Sequence, residues 1–162
     1  MKKFSTFRSI FAGYVLIAVA QSVFAVELVN FEVIREQFKR TKDETRVTYL
    51  LNRCAALQLN VSALLLKGGD EKSSAKYQQS AVIYMQLAGR IEEQTDKKRG
   101  TKNSDPVTNV KISVTNISEL YSQKLSENYA KRGDYIVGDK QIEKEMTECS
   151  EQEKFLDSAF GN

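Results

Sequence analysis

Leu50, Cys54, Leu57, Val61 and Leu64 recur at the i, i+4, i+7 spacing that puts side chains on one face of an α-helix. Val47, Leu51 and Leu65 widen that face. Thr41 and Glu44 stand ahead of it at the spacing of a capping box, and Gly68-Gly69 follows it as a stop. Together they predict a long helix from about Lys42 to Lys67.

The rest of the chain repeats the pattern. Asp70 with Glu71 opens a second helix favourably for the backbone dipole, running to about Thr95 with Tyr77, Ala81, Tyr84, Ala88 and Ile91 as its stripe. Met85 and Leu87 flank it, and residues 96–103 read as a charged loop. Asp105-Pro106 pairs an N-cap acid with proline at the first helical position. Val107, Val110, Val114, Ile117 and Tyr121 continue at helical spacing, with Leu120, Leu125 and Tyr129 alongside. Val110, Ile112 and Val114 also alternate as a strand does, but the helical stripe persists over about four turns and decides for helix. Gly133 ends this element. A connector carrying Tyr135, Ile136 and Val137 is expected to pack down. Asp139 then caps a last helix to about Asp157, with Ile142, Met146, Cys149 and Leu156 on one face. Ahead of all this, Leu28, Phe31, Ile34 and Phe38 mark a short lead-in between Val26 and Arg40. The expected fold is all-α, an antiparallel bundle of about four helices with a short N-terminal lead-in helix, in one domain over residues 26–162.

The first 25 residues have a different character. Lys2, Lys3 and Arg8 precede an apolar run from Ile10 to Ala20, and Val23-Phe24-Ala25 offers a cleavage site. This has the form of a bacterial secretory signal peptide. The run is shorter than the ~20 residues a membrane span needs, so membrane contact is expected only through the signal. Removing Lys2, Lys3 and Arg8 takes the 24 basic residues down to 21, against 21 acidic ones. The mature chain is then neutral, and nucleic-acid binding loses the positive charge it rests on. The remaining basic cluster, Lys97-Lys98-Arg99 with Lys102, reads as a solvated loop.

Export gives the two cysteines a meaning. Cys54 and Cys149 both lie on apolar stripes, and an even cysteine count in an oxidising compartment predicts a disulfide between them. A loop of this length could contribute about 4 kcal/mol in the chain-entropy description. The two cysteines do not form a Cys-x-x-Cys redox motif.

The chemistry that remains is narrow. The chain has no histidine, which removes Ser-His-Asp and Cys-His nucleophiles and His-ligated zinc or haem. No phosphate loop or nucleophile elbow is present. Ser73-Ser74-Ala75-Lys76 matches Ser-x-x-Lys without the partner motifs of a penicillin-recognising enzyme. Asn60-Val61-Ser62 and Asn116-Ile117-Ser118 match the glycosylation acceptor inside predicted helices. Carboxylates cluster at Glu92-Glu93 and at Glu143, Glu145, Glu148, Glu151 and Glu153. Of the last group, Glu145, Glu148 and Glu151 at i, i+3 spacing can share a helix face and hold a weak divalent cation, but with Lys144 and Lys154 interleaved the cluster reads as the wet side opposite Ile142, Met146 and Cys149. Tyr77, Tyr84, Tyr121 and Tyr129 lie on or beside the stripes. They read as core-edge packing, with a contact surface as the functional alternative.

These observations point to a small exported, periplasmic protein that acts as a non-catalytic binding or interaction module, requiring no cofactor or metal. Its partner would be a protein or an envelope component. The alternatives are a carrier of an apolar ligand between the helices, a carboxylate- or metal-dependent enzyme, and a subunit of a homo-oligomer.

Overall fold

The computed structural model describes residues 28–101 and 105–160, with side chains through Gln152 in the last helix. The fold is all-α. Among the described residues it consists of α1 (Phe31–Thr41), α2 (Glu44–Lys67), α3 (Glu71–Arg99), α4 (Pro106–Arg132) and α5 (Lys140–Phe160). The expected signal segment, residues 1–25, lies outside the described residues.

Caps fix most helix starts where the sequence places them. Asp70 Oδ1 accepts from Ser73 N at 3.0 Å, and Asp105 Oδ1 accepts from Val107 N and Thr108 N at 3.1 and 3.3 Å. Asp139 Oδ1 accepts from Gln141 N and Ile142 N, each at 3.1 Å. Each bond satisfies an amide that the first helical turn leaves without a partner.

The start of α2 differs from expectation. Thr41 is the last residue of α1 and its hydroxyl bonds back to Gln37 O. Lys42 turns the chain in the left-handed region at φ 54°, and Asp43 is the cap, accepting from Thr45 N at 3.1 Å. The capping-box spacing therefore straddles a tight turn between two helices. The end of α3 also differs. Residues 96–99 are helical, and Gly100 at φ 70° supplies the stop. Basic side chains in that last turn favour the helix, because they lie at the negative end of its dipole.

α2 occupies the centre. Every residue from Leu50 to Gln58 is buried, roughly two and a half turns with no solvent face. α2 packs against all four other helices, most extensively α3 and then α4, and α3 also packs on α4. Ala55, Ala56, Ala81 and Ala88 are fully buried, small enough to let helix backbones approach. Leu57, also fully buried, contributes about 2–3 kcal/mol by leaving water. α2 is long and apolar enough to cross a membrane by length and composition, but most of that window is buried inside the fold, as a core helix should be.

The strand-like alternation in α4 dissolves on inspection. Val110 and Val114 are buried one turn apart, and Ile112 between them is exposed. Tyr135 and Ile136 of the connector pack against the core as expected, while Val137 stays exposed.

Candidate functional site

Charged residues meet at the centre of the fold. Arg53, on α2, is 0% exposed. Its Nε donates to Tyr121 Oη of α4 at 3.2 Å, Nη1 donates to Val29 O ahead of α1, and Nη2 donates to Glu145 Oε1 of α5. Tyr121 donates in turn to Glu145 Oε2. Gln141 Nε2 completes the arrangement, donating to Glu145 Oε1 at 3.0 Å and to Leu28 O at 2.9 Å. The guanidinium carbon lies 4.5 Å from the Phe31 ring centroid and 5.9 Å from those of Tyr49 and Tyr121.

Both carboxylate oxygens and all three guanidinium nitrogens therefore have partners, the condition under which a buried ion pair is tolerated. Burial opposes the Arg53 charge, but Tyr121 and Glu145 outweigh it and raise its pKa. Burial, then the Glu145 charge, pushes the Tyr121 phenol well above its usual range, so it remains a proton donor. The network ties the lead-in, α2, α4 and α5 together behind closed walls. It offers no surface for a substrate.

This overturns one expectation. Glu145 and Glu148 are not part of a wet face; they are 2% and 8% exposed. Glu148 pairs with Arg35 at 3.5 Å and Lys144 at 3.9 Å. Both carboxylates thus have basic partners. Among the described residues no group of three or more candidate ligands is placed to hold a metal. Glu143 and Glu151 are exposed. The signal for Glu145 was present in the sequence. It lies three residues after Ile142 and four before Cys149, in the apolar register, just as Arg53 lies three after Leu50 and four before Leu57.

Cys54 and Cys149 are joined in a disulfide with Cα atoms 5.5 Å apart. Beside it, Tyr84 donates to Cys149 O. Tyr84 and Tyr121 are thus buried core residues rather than contact surface. Tyr77 is partly buried. Tyr129 is exposed and stacks on Tyr135 at 4.5 Å between centroids. The four tyrosines do not form one patch. The two glycosylation-like motifs have a structural use, because Asn60 of one donates to Ser118 of the other, to Oγ at 2.7 Å and to the carbonyl at 3.1 Å. In the basic cluster, Lys97 pairs with Glu93, Lys98 with Glu44 and Arg99 with Asp43. Lys102 lies outside the described residues.

Clefts open between the helices, and two of them stand out among the described residues. The larger, about 680 Å³, is an apolar groove between α3 and α4. Val82, Met85 and Gly89 line one wall and Pro106, Val107 and Val110 the other, with Arg90, Glu93 and Lys111 among the polar residues. Apart from its chain neighbours and the backbone of its own helix, nothing lies within 4 Å of where a Cβ on Gly89 would sit, so this glycine leaves room in the groove. The smaller cleft, about 310 Å³, is polar and lies between α2, α3 and α4. Glu92 and Asp96 enter it from α3, Asn52 from α2 and Asn109 from α4. Glu92 and Glu93 therefore part company. Burial, then the Asp96 charge, raises the Glu92 pKa against the effect of its Asn109 hydrogen bond, while Lys97 lowers that of Glu93.

Comparison with known proteins finds no matching family model, no matching characterised protein and no matching solved structure.

Proposed function

We propose that the protein is exported and works as a non-catalytic binding module, with the α3–α4 groove as its contact face. The groove carries this reading. Val82 and Val107 are 50% and 58% exposed and contribute little to the core, while Met85 and Gly89 extend the α3 wall and Pro106 the α4 wall. An apolar patch rimmed by charges is the usual form of a recognition surface. Buried Arg53, Tyr121 and Glu145, by contrast, are occupied with each other. The signal-like residues 1–25 and the Cys54–Cys149 bridge support a site of action outside the cytoplasm, since disulfides persist in oxidising compartments.

A photo-crosslinking side chain at Val82 tests the reading in the native host, with the same group at Val137 as an exposed control. A discrete adduct from position 82 only, abolished by Gly89→Leu, is the expected result. Gly89→Leu fills the groove and removes a helix-interior glycine, so the fold should persist. Equal labelling at both positions, or none, overturns the contact face. Intact mass of the exported chain, matching residues 26–162 with thiols alkylated only after reduction, tests export separately.

The groove also favours a second reading, a carrier of a small apolar ligand, because its volume falls within the usual range of small-molecule sites. That role predicts a co-purifying apolar molecule in native mass spectra of the wild type, absent from Gly89→Leu.

A further inference from the structure

Asn52 is a buried polar residue with an open account. It is 2% exposed, and its Oδ1 has no hydrogen-bond partner. A buried acceptor left unpaired is costly, and native folds rarely retain one without a reason. The residue lines the polar cleft between α2, α3 and α4.

Among the described residues, the lining of the same cleft holds more acidic than basic side chains. Glu92 forms no ion pair among the described residues, its hydrogen bond coming from the neutral Asn109 amide. Asp96, one helical turn further along α3, accepts from Thr101 Oγ1 at 3.1 Å and adds negative potential. The one basic lining residue, Arg99, is paired with Asp43 at 3.6 Å. An unpaired acceptor beside an uncompensated carboxylate calls for a ligand that brings both positive charge and hydrogen-bond donors. The ammonium group has three donors and no acceptor. A volume of about 310 Å³ suits a small molecule or a single side chain.

We infer that this cleft is a binding site for a primary ammonium group, with Glu92 as its counter-charge, Asp96 reinforcing the field and Asn52 Oδ1 accepting one of its protons. The site is separate from the α3–α4 groove and stands or falls independently of it. A quaternary ammonium has the charge without the donors, so it should bind poorly. The residue pair also separates binding from folding. Asn52→Leu replaces an unpaired buried polar group with an apolar one of similar size and should not weaken the fold. Glu92→Gln removes a charge that burial disfavours.

The experiment is an amide NMR titration of the oxidised chain with putrescine, against tetramethylammonium chloride at matched ionic strength. Saturable shifts confined to the segments around residues 48–52, 92–96 and 109–113 are expected, with a midpoint roughly in the millimolar range or tighter. Tetramethylammonium should produce no saturable change. Asn52→Leu and Glu92→Gln should each weaken putrescine binding by about tenfold or more with melting temperatures at or above wild type. The absence of saturable shifts in these segments overturns the site. So does equal binding of tetramethylammonium, and so does full retention of binding in either folded variant. Should one variant fail to fold, the other carries the test. Nα-acetyl-lysine methylamide, titrated in parallel, distinguishes the source of the group. Tighter putrescine binding supports a free small amine, and tighter lysine-derivative binding supports a lysine presented by a polypeptide.

Discussion

Asn52 and Arg53 are neighbours on the central helix, both polar and both buried, yet their surroundings are opposite. Arg53 points among the lead-in, α4 and α5, where every nitrogen of its guanidinium finds an acceptor. Asn52 borders the cleft shared with α3 and α4, where its carbonyl oxygen finds none. Arg53 has filled its hydrogen-bonding positions, and the Asn52 carbonyl oxygen has not. The difference shows that burial of a polar residue carries no fixed meaning. Its consequence depends on how many of its bonding positions the neighbours fill.

The largest effect should come from breaking the closed side. Arg53→Met leaves Glu145 buried without its cation and should cost about 3–5 kcal/mol in denaturant unfolding. The double variant Arg53→Met with Glu145→Leu should recover much of that loss, because no charge remains stranded. A double variant no more stable than Arg53→Met alone would show that the pair contributes through packing and not through charge. Next comes the covalent tie on the same side. Replacing Cys54 and Cys149 together by alanine should cost about 2–4 kcal/mol, read as the gap between oxidised wild type and variant.

The open side should respond with the opposite sign. Asn52→Leu is expected to leave stability unchanged or raise it slightly, and a loss above about 1 kcal/mol would mean that the oxygen has a partner in solution.

The smallest effect, and the sharpest contrast, is in pH. Asp139 sits near the closed side. Burial disfavours its charge, but the Ile142 amide, the Asn128 amide and Lys124 outweigh that and hold its pKa below the ordinary value of 3.8. Its contribution is therefore fully present above the ordinary value and is lost as pH falls through the folded one. Glu92 runs the other way, raised by burial and then by Asp96. Its native environment favours the protonated form, so the strain is absent below its ordinary value of 4.5 and appears as pH rises past it. Glu92→Gln should match wild type in melting temperature at low pH and exceed it slightly at neutral pH. Asp139→Asn should lower stability at neutral pH and converge with wild type in acid.

How much of this was legible in the sequence depends on the kind of residue. Apolar spacing and capping acids located the helices, because a helix face and an orphan amide are local demands that a few neighbouring residues express. Cys54 and Cys149 were paired by compartment and stripe position. The start of α2 and the end of α3 were displaced by two and four residues, since the Lys42 turn and the Gly100 stop are each set by a single backbone conformation. The central position of α2 was not readable. A stripe marks one covered face, and only tertiary packing covers the other. Arg53 and Glu145 were hidden by their charge, although both stand in apolar register. Asn52 and Glu92 come from different helices, and nothing local in either segment announces the cleft they share.

The bridge between Cys54 and Cys149 spans a sequence separation of 95 and closes the chain between them into a ring. A ring differs from a thread in how it survives a cut. A protease that cleaves one peptide bond anywhere between these cysteines, including in the segment joining α3 to α4, opens the ring but releases no fragment. The nicked molecule keeps its full mass under non-reducing conditions and separates into two pieces only when the bond is reduced. With α2 at the centre of the fold still fastened to α5, the two pieces remain held beside their packing partners after the cut.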